Sequence, residues 1–264
     1  MKKTVYPSLL IAISFLAYQK AKYFWAYVIF GAETWNAMDS IYSSSIILLT
    51  GISIALICNK LLYGNTSVAN LGLKGNVLKG LVTGFVLCLP MILGYAYFFE
   101  WNSELTLQLV YRDLVLAGFG EEFIFRGFLF GFLFYHAKWG FFPANLLPAL
   151  FFGLGHLYQA NNSSEAFFIF LLMALASAGF AWFYFAWNSL WPVIFLHGFM
   201  DLTWTMFSID TNVIGNNPIN IFRIITLLLA VVWSIKVATD EGRENLLKKM
   251  WINRSYAKSE KSED

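Results

Sequence analysis

Along the chain, long apolar runs alternate with short polar interruptions, and the runs are too long for ordinary strands. A helix needs about 20 apolar residues to cross a ~30 Å hydrocarbon core, and stretches of that length recur from end to end. The pattern predicts spans at roughly 8–32, 44–63, 79–98, 113–135, 141–158, 166–187, 190–208 and 219–238. The expected fold class is therefore all-α, a polytopic transmembrane helical bundle of about eight spans, with no separate soluble domain, internal repeat or low-complexity tract.

The first span is irregular. Lys20 and Lys22 interrupt it, so it could begin near Tyr23 with residues 7–18 lying flat at the surface, or tilt so that the lysines snorkel. The opening MKKTVYPSLLIAISFLAYQKAK has the basic start and apolar run of a signal peptide, but the small-x-small cleavage pattern is missing. It reads as a retained first helix or an interfacial segment. Before the fourth span, ELTLQLVYRDLVLAG reads as an amphipathic lead-in carrying Glu104, Arg112 and Asp113.

Composition agrees with a membrane protein: 58% of the 264 residues are hydrophobic and only 13% charged, against roughly 25% charged in an average globular domain. The formal charge of +2 implies no nucleic-acid partner. Cys58 and Cys88 lie far apart in apolar segments and read as packing side chains. Lysine and arginine fall in alternate loops: Lys60, Lys74, Lys79 and Lys138 on one side, with Lys2, Lys3 and the tail residues Arg243, Lys248, Lys249 and Arg254. The loops near 33–43, 99–104, 159–165 and 209–217 hold none. By the positive-inside rule the protein is expected in the cell membrane as a multi-pass chain with both termini cytoplasmic.

Against this background GFGEEFIFRGFLFGF, residues 118–132, places three charges inside a span. An ionisable residue near mid-membrane costs at least ~2.5–3.5 kcal/mol on insertion scales, so it normally faces a partner or a wet cavity. Glu122 and Arg126 stand at i and i+4 and can pair on one helix face. Glu121, rotated by about 100° on an α-helix, needs a partner elsewhere. FFGLGHLYQ supplies His156 toward the end of the fifth span, and WPVIFLHGFMDLTW supplies His197 and Asp201 one turn apart in the seventh. Gly127 and Gly131 form a GxxxG, and Gly153, Gly155 and Gly198 adjoin the histidines, which lets helices approach closely.

Such a convergence supplies a general base for water and donors for a developing oxyanion, the needs of amide hydrolysis. The same imidazoles and carboxylates could hold zinc. Plainer readings exist for each group. Glu122 with Arg126 alone is more often a structural pair, His156 could be an interhelical hydrogen bond, and His197 with Asp201 could be a local pair that fixes a tautomer. His136, beside Lys138, reads as interfacial; Glu100, Glu165 and Asp210 read as loop or boundary residues.

Taken together, EEFIFR at 121–126, FGLGH at 152–156 and HGFMD at 197–201 resemble the EExxxR, FxxxH and HxxxN/D motifs of the CAAX-protease and bacteriocin-processing family of intramembrane proteases, CPBP, also called Abi. All three occur in the right order, each inside an expected span. The resemblance covers roughly residues 79–208, which would form the catalytic bundle; residues 1–78 would be N-terminal membrane helices and 209–264 a last membrane helix with a charged cytoplasmic tail. It implies an endopeptidase acting near the terminus of a membrane-delivered, lipidated or sorting-signal polypeptide. Glu121 would activate water, His156 would help hold it, His197 and Asp201 would stabilise the oxyanion, and Glu122 with Arg126 would support them.

Position 201 is Asp where the form of the family with the clearest oxyanion role has Asn. An ionised carboxylate cannot donate a hydrogen bond, so Asp201 is either protonated or orients His197. No cofactor is obligatory on this reading, and zinc, as in a metalloendopeptidase-like site, stays open. Two other classes compete: a non-catalytic bacteriocin-immunity or binding protein, and a proton-coupled transporter, which intramembrane Glu, Arg and His would also serve.

Overall fold

The computed structural model describes residues 2–30, 41–209, 213–243 and 251. Asp210, most of the loop near 33–43 and the tail residues Lys248, Lys249 and Arg254 lie outside them. Helices dominate, because in hydrocarbon every backbone N–H and C=O must be satisfied within its own segment. Among the described residues the extended structure is one antiparallel bridge, Trp101 with Phe207, which ties the end of the third helix to the end of the seventh.

Among the described residues eight longer helices run in chain order: α1 (Lys2–Phe30), α2 (Ile41–Tyr63), α3 (Val77–Phe98), α4, α5 (Phe141–Gly155), α6 (Ser163–Trp187), α7 (Trp191–Met206) and α8 (Asn217–Asp240). Helix α4 is composite. It opens with an α-helical turn at Leu107–Tyr111, capped by the Thr106 side chain accepting from the Leu109 N–H, and continues in the wider π winding over Arg112–Phe130 and Phe132–His136. Within it the Gly131 N–H reaches back five residues to the Arg126 carbonyl.

The expected count of spans is corrected downward. Among the described residues five helices, Ile41–Tyr63, Val77–Phe98, Phe141–Gln159 with its terminal 3-10 turn, Ser163–Trp187 and Asn217–Asp240, are long and apolar enough to cross a membrane. Helix α7 has 16 residues, about 24 Å at 1.5 Å per residue, and α4 carries the site's charges. The first span is one continuous helix with Pro7 near its start and no break at Tyr23. Helix α4 begins at Leu107, earlier than the expected 113, because the amphipathic lead-in joins the helix directly.

Helix α7 is the centre of the bundle, packed between α3 on one side and α4 on the other. Helices α5 and α6 form a hairpin, α8 lies against α3, and the α1–α2 hairpin covers α4. The core is aromatic: Phe123, Phe128, Phe130, Phe132 and Phe134 of α4 are buried. Large apolar side chains such as Leu9, Leu49, Leu175 and Val232 remain exposed, as a lipid-facing surface requires. In α8 only 17% of the most apolar window is buried, so most of that helix faces outward.

Candidate active site

The charged residues meet where α4 and α7 come closest. A Cβ on Gly118 would lie 2.7 Å from the Gly198 Cα and 3.0 Å from the Ile194 carbonyl. Two backbones at that separation leave room only for hydrogen at the crossing, so side chains just beyond it, Glu121 and Glu122 on α4 and His197 and Asp201 on α7, are brought within reach of one another.

Glu122 and Arg126 have fully buried side chains, with Nη1 to Oε1 at 3.0 Å. The guanidinium is clamped between two rings, 4.6 Å from the centroid of Phe152 on α5 and 5.4 Å from that of Phe180 on α6. This is cation–π support that suits a weakly hydrated, planar cation. The same Glu122 Oε1 accepts from His197 Nδ1 at 2.7 Å, so the pair does not stand alone. Phe180 also stacks on the His197 ring, centroids 5.1 Å apart. One buried chain thus links Arg126, Glu122 and His197, and Phe180 covers both ends.

With Nδ1 committed to Glu122, the reactive nitrogen of His197 is Nε2. It lies 3.4 Å from Asp201 Oδ2 and 4.0 Å from Glu121 Oε2. The Glu121 side chain is 32% exposed and that of Asp201 41%, against 0% for Glu122. Adjacent glutamates therefore live in different media, one walled in and one open.

His156 follows the last residue of α5 and caps it, its N–H reaching the Gly153 and Leu154 carbonyls. Its ring Nδ1 donates to the Phe152 carbonyl at 2.7 Å. A carbonyl can only accept, so Nδ1 carries a proton, and in the neutral ring Nε2 is the acceptor. His156 interacts electrostatically with Glu121, as do His197, Asp201 and Arg126. The structure therefore gathers all six residues singled out in the sequence, Glu121, Glu122, Arg126, His156, His197 and Asp201, around one centre. Among the described residues, no three His, Cys, Asp or Glu side chains are arranged as a set that could hold a metal.

Residues 102–203 match the family model described as type II CAAX prenyl endopeptidase, Rce1-like. That matched segment is similar to the CPBP family of intramembrane proteases. Every residue of the cluster falls inside the matched segment, and CPBP members of this type are membrane proteases. No curated protein and no solved structure matches the chain. The family segment opens just before the turn that starts α4 and closes within α7, so it spans the two helices that build the crossing and the α5–α6 hairpin that supplies the rings.

Phe180 and the role of Phe152 as a ring over Arg126 escaped sequence reasoning. Both sit in runs of phenylalanine whose members look alike in sequence, and only burial beside a guanidinium distinguishes them. The division of the charges also differs from the expectation: Glu122 serves Arg126 and His197 together, whereas i, i+4 spacing alone pointed to a closed Glu122–Arg126 pair.

Proposed function

We propose that the chain is an intramembrane endopeptidase in which Glu121 activates the water that attacks the peptide carbonyl. The observation that carries this reading is the contrast between half-open Glu121 and walled-in Glu122 around one histidine. A water about 2.8 Å from both Glu121 Oε2 and His197 Nε2, an ordinary hydrogen-bond length, fits two atoms 4.0 Å apart. It would subtend roughly a right angle between them.

In this mechanism Glu121 takes the proton of the water as its oxygen bonds to the carbonyl carbon. The carbonyl oxygen becomes an oxyanion that accepts from His197 Nε2–H. Collapse of the tetrahedral intermediate breaks the C–N bond, and the departing amine takes the proton held by Glu121, leaving an amine and a carboxylic acid that then loses its proton to water. For Nε2 to donate while Nδ1 donates to Glu122, the ring must be an imidazolium, and carboxylates at both nitrogens provide acceptors for it. Asp201 is assigned as the acceptor that aims Nε2, which resolves how a carboxylate serves where an amide donor is expected. His156 Nε2 serves as a second acceptor for the water. The buried Arg126–Glu122 pair holds the orientation of His197.

The substrate class is the terminal region of a polypeptide delivered to the membrane, and the lysine and arginine bias supports both termini being cytoplasmic. The test is cleavage of a panel of membrane-delivered peptides, with free, lipidated or sorting-signal termini, by wild type and Glu121→Ala in native membranes, each with and without chelator. Cleavage by wild type that is lost in Glu121→Ala and resists chelator is the expected result, and the cleaved peptides name the substrate class. Cleavage that chelator abolishes would redirect His156 and His197 to a metal. Equal cleavage by both proteins would remove Glu121 from catalysis.

A further inference from the structure

We propose that Lys22, carried on α1 outside the family-matched segment, is a positioning residue for Glu121: its ammonium offsets the excess of carboxylates at the site. The inference rests on Glu121 being the base. The cluster gathers three carboxylates, Glu121, Glu122 and Asp201; Arg126 is already committed to Glu122, and Arg223 of α8 lies toward Asp201 rather than Glu121. Beside Arg126, the basic groups that the matched segment brings to Glu121 are the His156 and His197 imidazoles.

The register of α1 against α4 places Lys22 at this level. Trp139, just past the end of α4, donates its indole N–H to Ser8 at 2.9 Å. Phe15 then meets Phe125 with ring centroids 6.0 Å apart. Tyr18 and Ile124 share the space above Gly51 of α2, where a Cβ would lie 2.8 Å from one and 2.7 Å from the other. Numbers rise along α1 as they fall along α4, so the helices are antiparallel and the next turn of α1 runs beside Glu121.

That turn carries two lysines, and they face different ways. Lys20 is exposed, while Lys22 is half-buried with its Nζ 6.0 Å from the centroid of the Tyr18 ring. Tyr18 is buried, so the ring that the ammonium lies over is fixed in the core. The antiparallel register sets both Tyr18 and Lys22 on the turns of α1 that run beside Glu121. The groups facing Glu121 are thus Tyr18 and Lys22 from α1, Arg126 from α4, His156 beyond α5, and His197 and Asp201 from α7. Removing the Lys22 charge favours the neutral carboxyl, so Glu121 would give up its proton only at higher pH.

The experiment reads Glu121 directly. In lipid nanodiscs, the carbonyl infrared band of protonated Glu121, identified by its loss in Glu121→Gln, is titrated in wild type, Lys22→Met, Lys22→Gln, Lys22→Arg and Lys20→Met. The expected midpoint rises by about half a pH unit or more in Lys22→Met and Lys22→Gln. It stays at the wild-type value in Lys22→Arg and Lys20→Met, and the acid limb of the cleavage profile moves with it. The glutamine variant keeps the test standing if the methionine variant does not fold. A wild-type midpoint in both neutral variants, or an equal shift in Lys20→Met, overturns the proposal. Because the band does not depend on turnover, cleavage that survives in Glu121→Gln would sink the catalytic reading separately.

Discussion

Helix α7 is held by two seams built with the same device and used differently. Toward α3, a Cβ on Gly80 would lie 2.5 Å from the Trp191 Cβ and one on Gly84 2.6 Å from the Leu196 backbone nitrogen. Toward α4, Gly118 meets Gly198 just as closely. Small residues let helices approach in a membrane, where packing rather than the hydrophobic effect drives association. On the α3 side the neighbours of the glycines are apolar, among them Trp191 and Phe195, and the result is adhesion. On the α4 side the neighbours are Glu121, Glu122 and His197, and the same closeness forces charges to solve each other's burial. A glycine contact thus sets distance, and the residues one turn away decide whether that distance becomes chemistry.

The sharpest way to break this comparison is Glu121→Gln. Hydrolysis should fall by roughly 10²–10⁴-fold, the usual contribution of a general base. Stability should change by no more than about 0.5 kcal/mol, since the side chain is already partly open. Parallel kinetics and thermal unfolding in detergent check both halves.

Arg126→Met should have the largest effect on stability. It leaves Glu122 buried and without its cation, which costs about 3–5 kcal/mol, and the double variant with Glu122→Gln should recover part of the loss. Thermal unfolding of the single and double variants would show it; an unchanged Tm in Arg126→Met would mean the α4–α7 seam does not depend on its charges.

The seams can be set directly against each other with Gly118→Ala and Gly80→Ala. Each overpacks a close contact and should cost about 1–3 kcal/mol. Cleavage should drop by more than tenfold beyond the loss of folded protein only in Gly118→Ala, because only that contact sets the Glu121 to His197 spacing. Equal losses per folded molecule would erase the distinction between the seams.

Asp201→Asn should have the smallest effect, within about tenfold of wild type, because a carboxamide oxygen still accepts from His197 Nε2 and its NH₂ can donate to an oxyanion. Asp201→Leu, which removes the acceptor, should lose clearly more activity. Initial rates on one cleaved peptide would rank the three proteins.

Much of the architecture was legible beforehand, for a simple reason. Runs such as 44–63 and 219–238 are continuous enough that no other backbone arrangement satisfies their amides in lipid, and they appear as Ile41–Tyr63 and Asn217–Asp240. The six candidate-site residues were legible because charge is rare inside such runs. The π winding of α4 was not, since apolar residues on every face leave no period to read. The continuity of α1 through Lys20 and Lys22 was also hidden: two lysines within an apolar run read equally as interruption or as snorkelling until their neighbours are known.

The sequence by itself determined that this chain is a membrane-embedded helical bundle, that three of its segments carry ionisable groups at a cost, and that those segments resemble the CPBP motifs. These follow from composition and spacing, which act locally and need no knowledge of what lies opposite. Only the tertiary structure decided how those groups divide. Glu122 is sealed behind Arg126, His197 and the Phe152 and Phe180 rings, while its neighbour Glu121 opens toward Asp201, His156 and the α1 lysine. The reason is that burial and electric field are set by atoms from five different helices, α1, α4, α5, α6 and α7, and residues adjacent in sequence carry no record of which of those surfaces each will face.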